Sequence, residues 1–255
     1  MAIKTVEELY TIYKKKKNKV IFGISFSFLL TLSLVIFLLV QDLFNPEIAY
    51  SLVCVLSVGY LVFIIWVQSI LVEALMKYHY YLMLYEDLGM LIPAATLYTK
   101  NWLNFIETEF IKHSEEDTFI FYYNFFKKLP KLGKTGYVFV GVAVSKTDDY
   151  DFYNDRVNII IEELFDNYKD QKKVKKQITI QFKKYQSFDE SHKEALQEII
   201  NFKNGDYVYI NLPVGYFVEE DRVYFLRPSK KFANKFYYYT CQTAKYLSHI
   251  EENIE

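Results

Sequence analysis

Two stretches of the chain show no polar alternation. Residues 20–40 are 21 positions without a charge, and residues 48–72 are 25 more, with Gln68 the most polar among them. A helix needs about 20 apolar residues to cross a hydrocarbon core of about 30 Å, and both runs meet that length. The first is too long for the apolar part of a secretory leader. Gln41-Asp42-Leu43-Phe44 follows it, where a leader would need a small-residue cleavage site. The pattern predicts a two-span transmembrane hairpin over residues 20–75, preceded by a short segment, 1–19.

Lysines set the expected orientation. Lys14, Lys15, Lys16, Lys17 and Lys19 directly precede the first run, whereas the connector 41–47 holds Asp42 and Glu47 and no Lys or Arg. Positive charge stays on the cytoplasmic side, so both the N-terminus and everything from about residue 75 onward are expected there, at the inner membrane. Asn45-Pro46 marks the external turn. Gly23, Ser27 and Thr31 recur every four residues on one face of the first span, where small side chains allow close helix approach. That stripe, with Gln68 on the second span, is the expected transmembrane interface. It packs against the second span, against another copy in a homo-oligomer, or along a pore. No charge lies in the middle of either run, which argues against a proton or metal transporter.

Beyond residue 72 the period changes twice. The second helix continues past Tyr78, Tyr80 and Tyr81 toward Gly89 and Pro93, and residues 101–113 repeat apolar positions at helical spacing. Residues 118–126 are dense in aromatics and read as either strand or helix. A helical connector is expected over 76–131. Gly133-Lys134-Thr135 looks like the end of a phosphate loop, but that motif requires Gly at position 128, where Lys128 stands; residues 132–136 read as a turn. From there the chain predicts a strand over 137–144 and a polar loop over 145–151. Next comes an amphipathic helix through Val157, Ile160, Ile161, Leu164 and Tyr168, with Asn154 as N-cap. A solvated charged turn is expected over 172–176 and a second strand over 178–182. A second helix is expected over 191–202, with Ser191 and Glu194 as a capping box. A third strand over 207–212 ends at Pro213-Val214-Gly215. A hairpin around residues 219–221 and a closing helix over 233–252 complete the domain. The order β-α-β-α-β predicts a cytoplasmic α/β domain over 132–255 with a small, mostly parallel sheet.

Composition narrows the classes. Hydrophobic residues make up 52% and aromatics 19%, so the chain is no disordered or low-complexity protein. A net charge of −1 implies no generic binding of duplex nucleic acid. Cys54 and Cys241 are too few for a disulfide scaffold or a thiolate zinc site. The four histidines are scattered singly, and neither a Gly-x-Ser-x-Gly elbow nor His-Glu-x-x-His is present. No catalytic residue, metal or cofactor is assigned.

In a parallel sheet, ligands sit beyond the carboxyl ends of the strands. The residues expected at that edge are Lys146, Asp148, Asp149, Arg156, Lys183 and Lys184. The lysines would serve phosphate and the aspartates ribose hydroxyls; otherwise these are ordinary solvated charges. Arg156 is one of three Arg against 27 Lys.

The two spans, 20–40 and 48–72, followed by YVFVGVAVSKTDDYDFYNDR resemble in architecture the bacterial anti-phage membrane effectors gated by nucleotide second messengers. The resemblance implies an oligomer whose α/β domain binds such a messenger and whose spans then permeabilise the inner membrane. Two other functions fit the same pattern: a non-enzymatic assembly subunit for secretion, conjugation or the envelope, and a membrane-tethered enzyme acting on nucleosides or nucleotides.

Overall fold

The structure, a computed structural model, describes residues 5–40, 45–89, 92–94, 97–127, 137–168, 174–205 and 207–248. It divides into two compact units, Met1–Tyr85 and Glu86–Glu255.

The first unit is a pair of long helices, α1 (Val6–Val40) and α2 (Pro46–Tyr85). Each begins where its sequence supplies the cap. Thr5 Oγ1 accepts from Glu8 N at 3.2 Å while Glu8 Oε2 accepts from Thr5 N at 3.1 Å, a reciprocal capping box. Asn45 Oδ1 accepts from Glu47 N, and Pro46 takes the first helical position, where its missing N–H is not needed. The lysine cluster is therefore helical and continuous with the apolar run. Half-buried or buried positions on α1 (Val20, Ile24, Ser27, Thr31, Val35, Leu38) recur at three or four residues, as do Val53, Leu56, Tyr60, Ile64, Val67, Leu71 and Ala74 on α2. That spacing, near 3.5, describes a two-helix seam. At the lysine-rich end the seam is aromatic: Tyr10 stacks on Tyr85 at 4.9 Å, Tyr13 on Tyr81 at 5.0 Å, and Lys17 Nζ lies 4.0 Å over Tyr78. Away from the seam both helices expose large apolar side chains, Phe22, Val55, Ile65 and Trp66 among them. Both are long and apolar enough to cross a membrane.

The second unit is an eight-stranded sheet. Its strands are β1 (Ile92–Pro93), β2 (Ile111–Glu115), β3 (Phe119–Phe126), β4 (Tyr137–Ser145), β5 (Val174–Tyr185), β6 (Ile200–Asn204), β7 (Tyr207–Phe217) and β8 (Arg222–Tyr224). The order is β1-β8-β7-β5-β4-β3-β2, with β6 also paired to β7. Helices α3 (Lys100–Glu109), α4 (Asp155–Tyr168), α5 (Glu190–Gln197) and α6 (Lys235–Leu247) cover it. The sheet is mixed, which corrects the mostly parallel sheet expected from the sequence. Only β4–β5 and β5–β7 run parallel among the described residues; every other pairing is antiparallel. The parallel core follows from the two helical crossovers. Of the antiparallel flanks, the β7–β8 hairpin is as expected, and the rest come from segments read as helix or left ambiguous.

Three such segments account for the difference. Helix α3 stops at Glu109, and Ile111–Glu115 turns into β2, which pairs with the aromatic strand β3; the connector is thus only partly helical. The helix expected over 191–202 ends at Gln197, and its apolar tail becomes β6, zipped onto the start of β7. Its N-cap is Asp189, whose carboxylate accepts from His192 N at 2.8 Å, and not Ser191. β7 runs through Pro213. On one side of it the pairing with β6 stops at Asn211 and the pairing with β8 starts at Gly215, so among the described residues Pro213 falls where that edge has no partner strand and a missing N–H is tolerated. The expected turn over 172–176 overlaps β5, which starts at Val174. Residues 41–44 of the connector, the 132–136 turn, Lys172 and Lys173, and the closing helix beyond Ser248, with His249, lie outside the described residues.

Helices α4 and α5 lie on one face of the sheet and α3 and α6 on the other. Phe121, Phe139 and Ala143 pack with Val157, Ile160, Ile161, Leu164 and Leu196 on the first face. Trp102 meets Phe182 edge-on at 5.3 Å on the second. Both crossovers pass over the same face, as expected when strands are laid down successively in one direction with one hand. The start of the unit is fastened to β8 and the segment after it: Tyr224 OH donates to Asp87 Oδ2 at 2.6 Å and Ser229 N to Glu86 O at 2.8 Å.

Candidate functional site

The loop between β4 and α4 stands at the carboxyl end of the parallel strands. It is held down by two buried rings, Tyr150 and Phe152, with Tyr150 against Phe119 at 5.6 Å. Its turns are closed by short side chains. Asp151 Oδ1 accepts from Tyr153 N at 2.9 Å and Asn154 Oδ1 from Arg156 N at 2.8 Å, which caps α4.

Beneath the loop the sheet is polar. Gln177, Thr179 and Gln181 alternate along β5 on the α4 face, and Asn211 is the register partner of Thr179 on β7. All four are buried. Gln181 Nε2 donates to the Phe152 carbonyl at 2.7 Å and to Asn211 Oδ1 at 2.6 Å, and Asn211 Nδ2 also donates to that carbonyl at 3.2 Å. The Tyr150 hydroxyl donates to Gln181 Oε1. Burial holds the Tyr150 phenol well above its ordinary range, so it stays a neutral donor. Among the described residues Thr179 Oγ1 has no partner. Thr179 lines a cavity of about 40 Å³, some 300 Å³ with its open mouth, together with Asn154, Asn158, Gln181, Tyr209 and Asn211.

The charged residues expected at the site are arranged along the edge above. Ser145 Oγ accepts from Lys184 N at 3.4 Å, so Lys146 and Lys184 lie at the same end of the sheet. Lys183 Nζ donates to Tyr150 O at 2.7 Å, and partial burial lowers its pKa. Lys146 Nζ turns away toward β2, reaching Glu115 Oε1 and Glu116 O, both at 3.0 Å. Arg156 spans Glu116 at 3.4 Å and Glu163 at 3.7 Å. Hydrogen bonds from Lys112 and Lys146 lower Glu115 to about 2. Asp148 and Asp149 are exposed, and the Thr147 hydroxyl lowers Asp149.

Of the expected helix interface, Ser27 and Thr31 sit on the α1–α2 seam. Gly23 does not: it is exposed, and a Cβ there would meet nothing within 4 Å. Gln68 is exposed as well. The Ser27 hydroxyl donates to Ile24 O of its own helix at 2.8 Å and so needs no cross-helix acceptor. Cys241 is buried, which pushes its thiol up to about 12 and leaves it unreactive; Cys54 is exposed on α2. Among the described residues no cluster of three His, Cys, Asp or Glu could hold a metal ion.

Sequence reasoning did not single out Thr179, Gln181, Asn211, Glu115 or Glu116. The first two gave no distinct signal, since Gln-x-Thr-x-Gln alternating with Ile and Phe reads as an ordinary half-exposed strand. Comparison with family models, curated proteins and solved structures returns no match.

Proposed function

We propose that this chain is a membrane-anchored binding protein of the inner membrane, with α1 and α2 crossing as a hairpin and the sheet unit in the cytoplasm. The unit binds a nucleotide-like ligand at the carboxyl edge of β4 and β5, and the helices, assembled as a homo-oligomer, perturb or permeabilise the bilayer in response. The observation that carries the anchor is the unburied apolar surface. None of the most apolar stretch of α1 is buried and only 6% of that of α2, whereas a core helix of a soluble domain would be mostly covered. The Lys14–Lys19 cluster supports the orientation. The ligand edge is supported by Lys183 and Lys184 flanking the loop that carries Asp148 and Asp149.

A second reading draws on a different observation. Glu115 and Glu116 already engage Lys146 and Arg156, leaving less free positive charge at the edge. A non-enzymatic assembly subunit needs no phosphate site and fits that neutralisation.

The test is dye release from liposomes carrying the full chain. Under the first reading, cyclic or linear oligonucleotide messengers trigger release, and Lys183→Ala with Lys184→Ala abolishes it. Binding without release moves the function to the second reading; neither binding nor release removes the ligand edge altogether.

A further inference from the structure

An unsatisfied hydroxyl in a protein interior costs about 1–3 kcal/mol, and valine would fill the same volume without that cost. Thr179 is 2% exposed, and among the described residues its hydroxyl has no partner. Thr179 is not stranded in apolar packing, because the residue borders a cavity that opens to solvent between the loop after β4 and the start of β7. The chemistry of that cavity is specific. Among the described residues every lining one is neutral, the polar ones being amides and hydroxyls, and Phe152, Tyr153 and Tyr209 add aromatic rings. Such walls cannot compensate a phosphate, a carboxylate or a metal ion. They suit an uncharged group with its own donors and acceptors, flanked by rings.

We infer that this cavity receives the hydrogen-bonding edge of a nucleobase. The inference rests on the nucleotide-like ligand proposed above and names where its base would go. Size limits how much enters. The inner 40 Å³ holds one or two groups the size of a water, such as a ring carbonyl or amino group. The 300 Å³ that includes the mouth lies at the small end of ligand sites and leaves room for a ring rather than a larger body. Thr179 supplies one donor and one acceptor to that edge. Gln181 cannot replace it, since both of its amide protons are already given to Phe152 O and Asn211. The loop that walls the cavity with Phe152, Tyr153 and Asn154 also carries Lys146 and Asp149, so one segment serves both the neutral cavity and the charged edge.

The experiment is calorimetric titration of the full chain in lipid discs with uridine, cytidine, adenosine and guanosine, then with their 5′-monophosphates and with ribose 5-phosphate. At least one uncharged nucleoside binds; Thr179→Val weakens it about tenfold, and Thr179→Ser, which keeps the hydroxyl, does not. Asn158→Ala, on the exposed side of the cavity, serves as a second variant if Thr179→Val misfolds, and it too weakens the nucleoside. The inference is overturned if no nucleoside binds, or if binding ignores these substitutions, in which case the cavity holds only water. Monophosphate binding that depends on Lys183 but not on Thr179 overturns it while leaving the ligand edge standing. Failure of every nucleoside and phosphate removes both.

Discussion

Across the parallel β5–β7 pair, Gln181 Nε2 donates to Asn211 Oδ1 at 2.6 Å, directly under the Phe152 carbonyl that both side chains share. The two amides tie three pieces of chain together: the central strand, its neighbour, and the loop that begins α4. The packing of that loop therefore depends on a buried polar network instead of on apolar contact alone.

Removing one member should expose that dependence. Asn211→Ala leaves Gln181 short of an acceptor and Phe152 O short of a donor, with a cost of about 1–3 kcal/mol. Urea unfolding of the sheet unit's signal should show it. A double-mutant cycle with Gln181→Leu should be non-additive, because the second substitution removes the group that the first left unpaired. Additive losses would mean that the two residues act separately.

Gly141 has no room for a side chain. A Cβ there would lie 2.8 Å from Phe121 Cζ and 3.1 Å from Phe139 Cε1, both rings fully buried. Gly141→Ala should destabilise by about 1–3 kcal/mol through overpacking. Phe121→Leu in that background should recover part of the loss. A Gly141→Ala variant that melts with the parent would show that the rings yield freely.

The carboxyl edge has a pH signature. Lys112 and Lys146 lower Glu115 from its ordinary 4.5 to about 2. Because the folded value is depressed, the associated stability is fully present above about pH 4.5 and is lost as pH falls from there toward 2. Lys146→Met should raise the Glu115 midpoint in a carboxyl-carbon NMR titration, and Lys112→Met should raise it as well. An unchanged midpoint in both variants would mean that the ion pairs do not persist in solution.

How much of this arrangement the sequence discloses depends on how many faces an element buries. Helix α4 has one apolar stripe and one polar face, so its period is legible from Val157 to Tyr168. β5 is buried on both faces, but one face is Gln177, Thr179 and Gln181, and that alternation is indistinguishable from a half-exposed strand. Ile199, Ile200 and Phe202 continue the period of α5 well enough to read as its last turn. Only pairing with β7, a non-local interaction, makes residues 200–204 a strand. The mixed sheet was hidden for the same reason. A parallel pair advertises itself through its crossover helix, whereas β2 and β3 reveal their direction only in register with β4. The site's charges were legible as charges, but their partners Glu115 and Glu116 lie about 30 residues upstream of Lys146 and become neighbours only through the β2–β3–β4 meander.

The helix pair makes the last prediction, because its small residues divide between two surfaces. Ser27 and Thr31 lie on the seam with α2, so bulk there competes with the hairpin itself. Gly23 is exposed, with no atom near enough to meet a Cβ, so bulk there leaves the hairpin untouched. If copies of the chain associate through the outer face of α1, close approach at Gly23 supplies the van der Waals contact that lipid cannot, and leucine would hold the helices apart. Leucine also partitions well into the bilayer, so insertion is preserved. Gly23→Leu should therefore insert normally and run at lower mass than the parent in mild detergent and in lipid discs, measured by light scattering. Ser27→Leu should instead weaken the α1–α2 pairing, seen as faster proteolysis or as lost proximity between spin labels on the two helices. A parent that is already monomeric in both media ends the oligomer proposal and leaves the hairpin as a single-chain anchor. A Gly23→Leu variant with the parent's mass moves any subunit contact to another face of the pair.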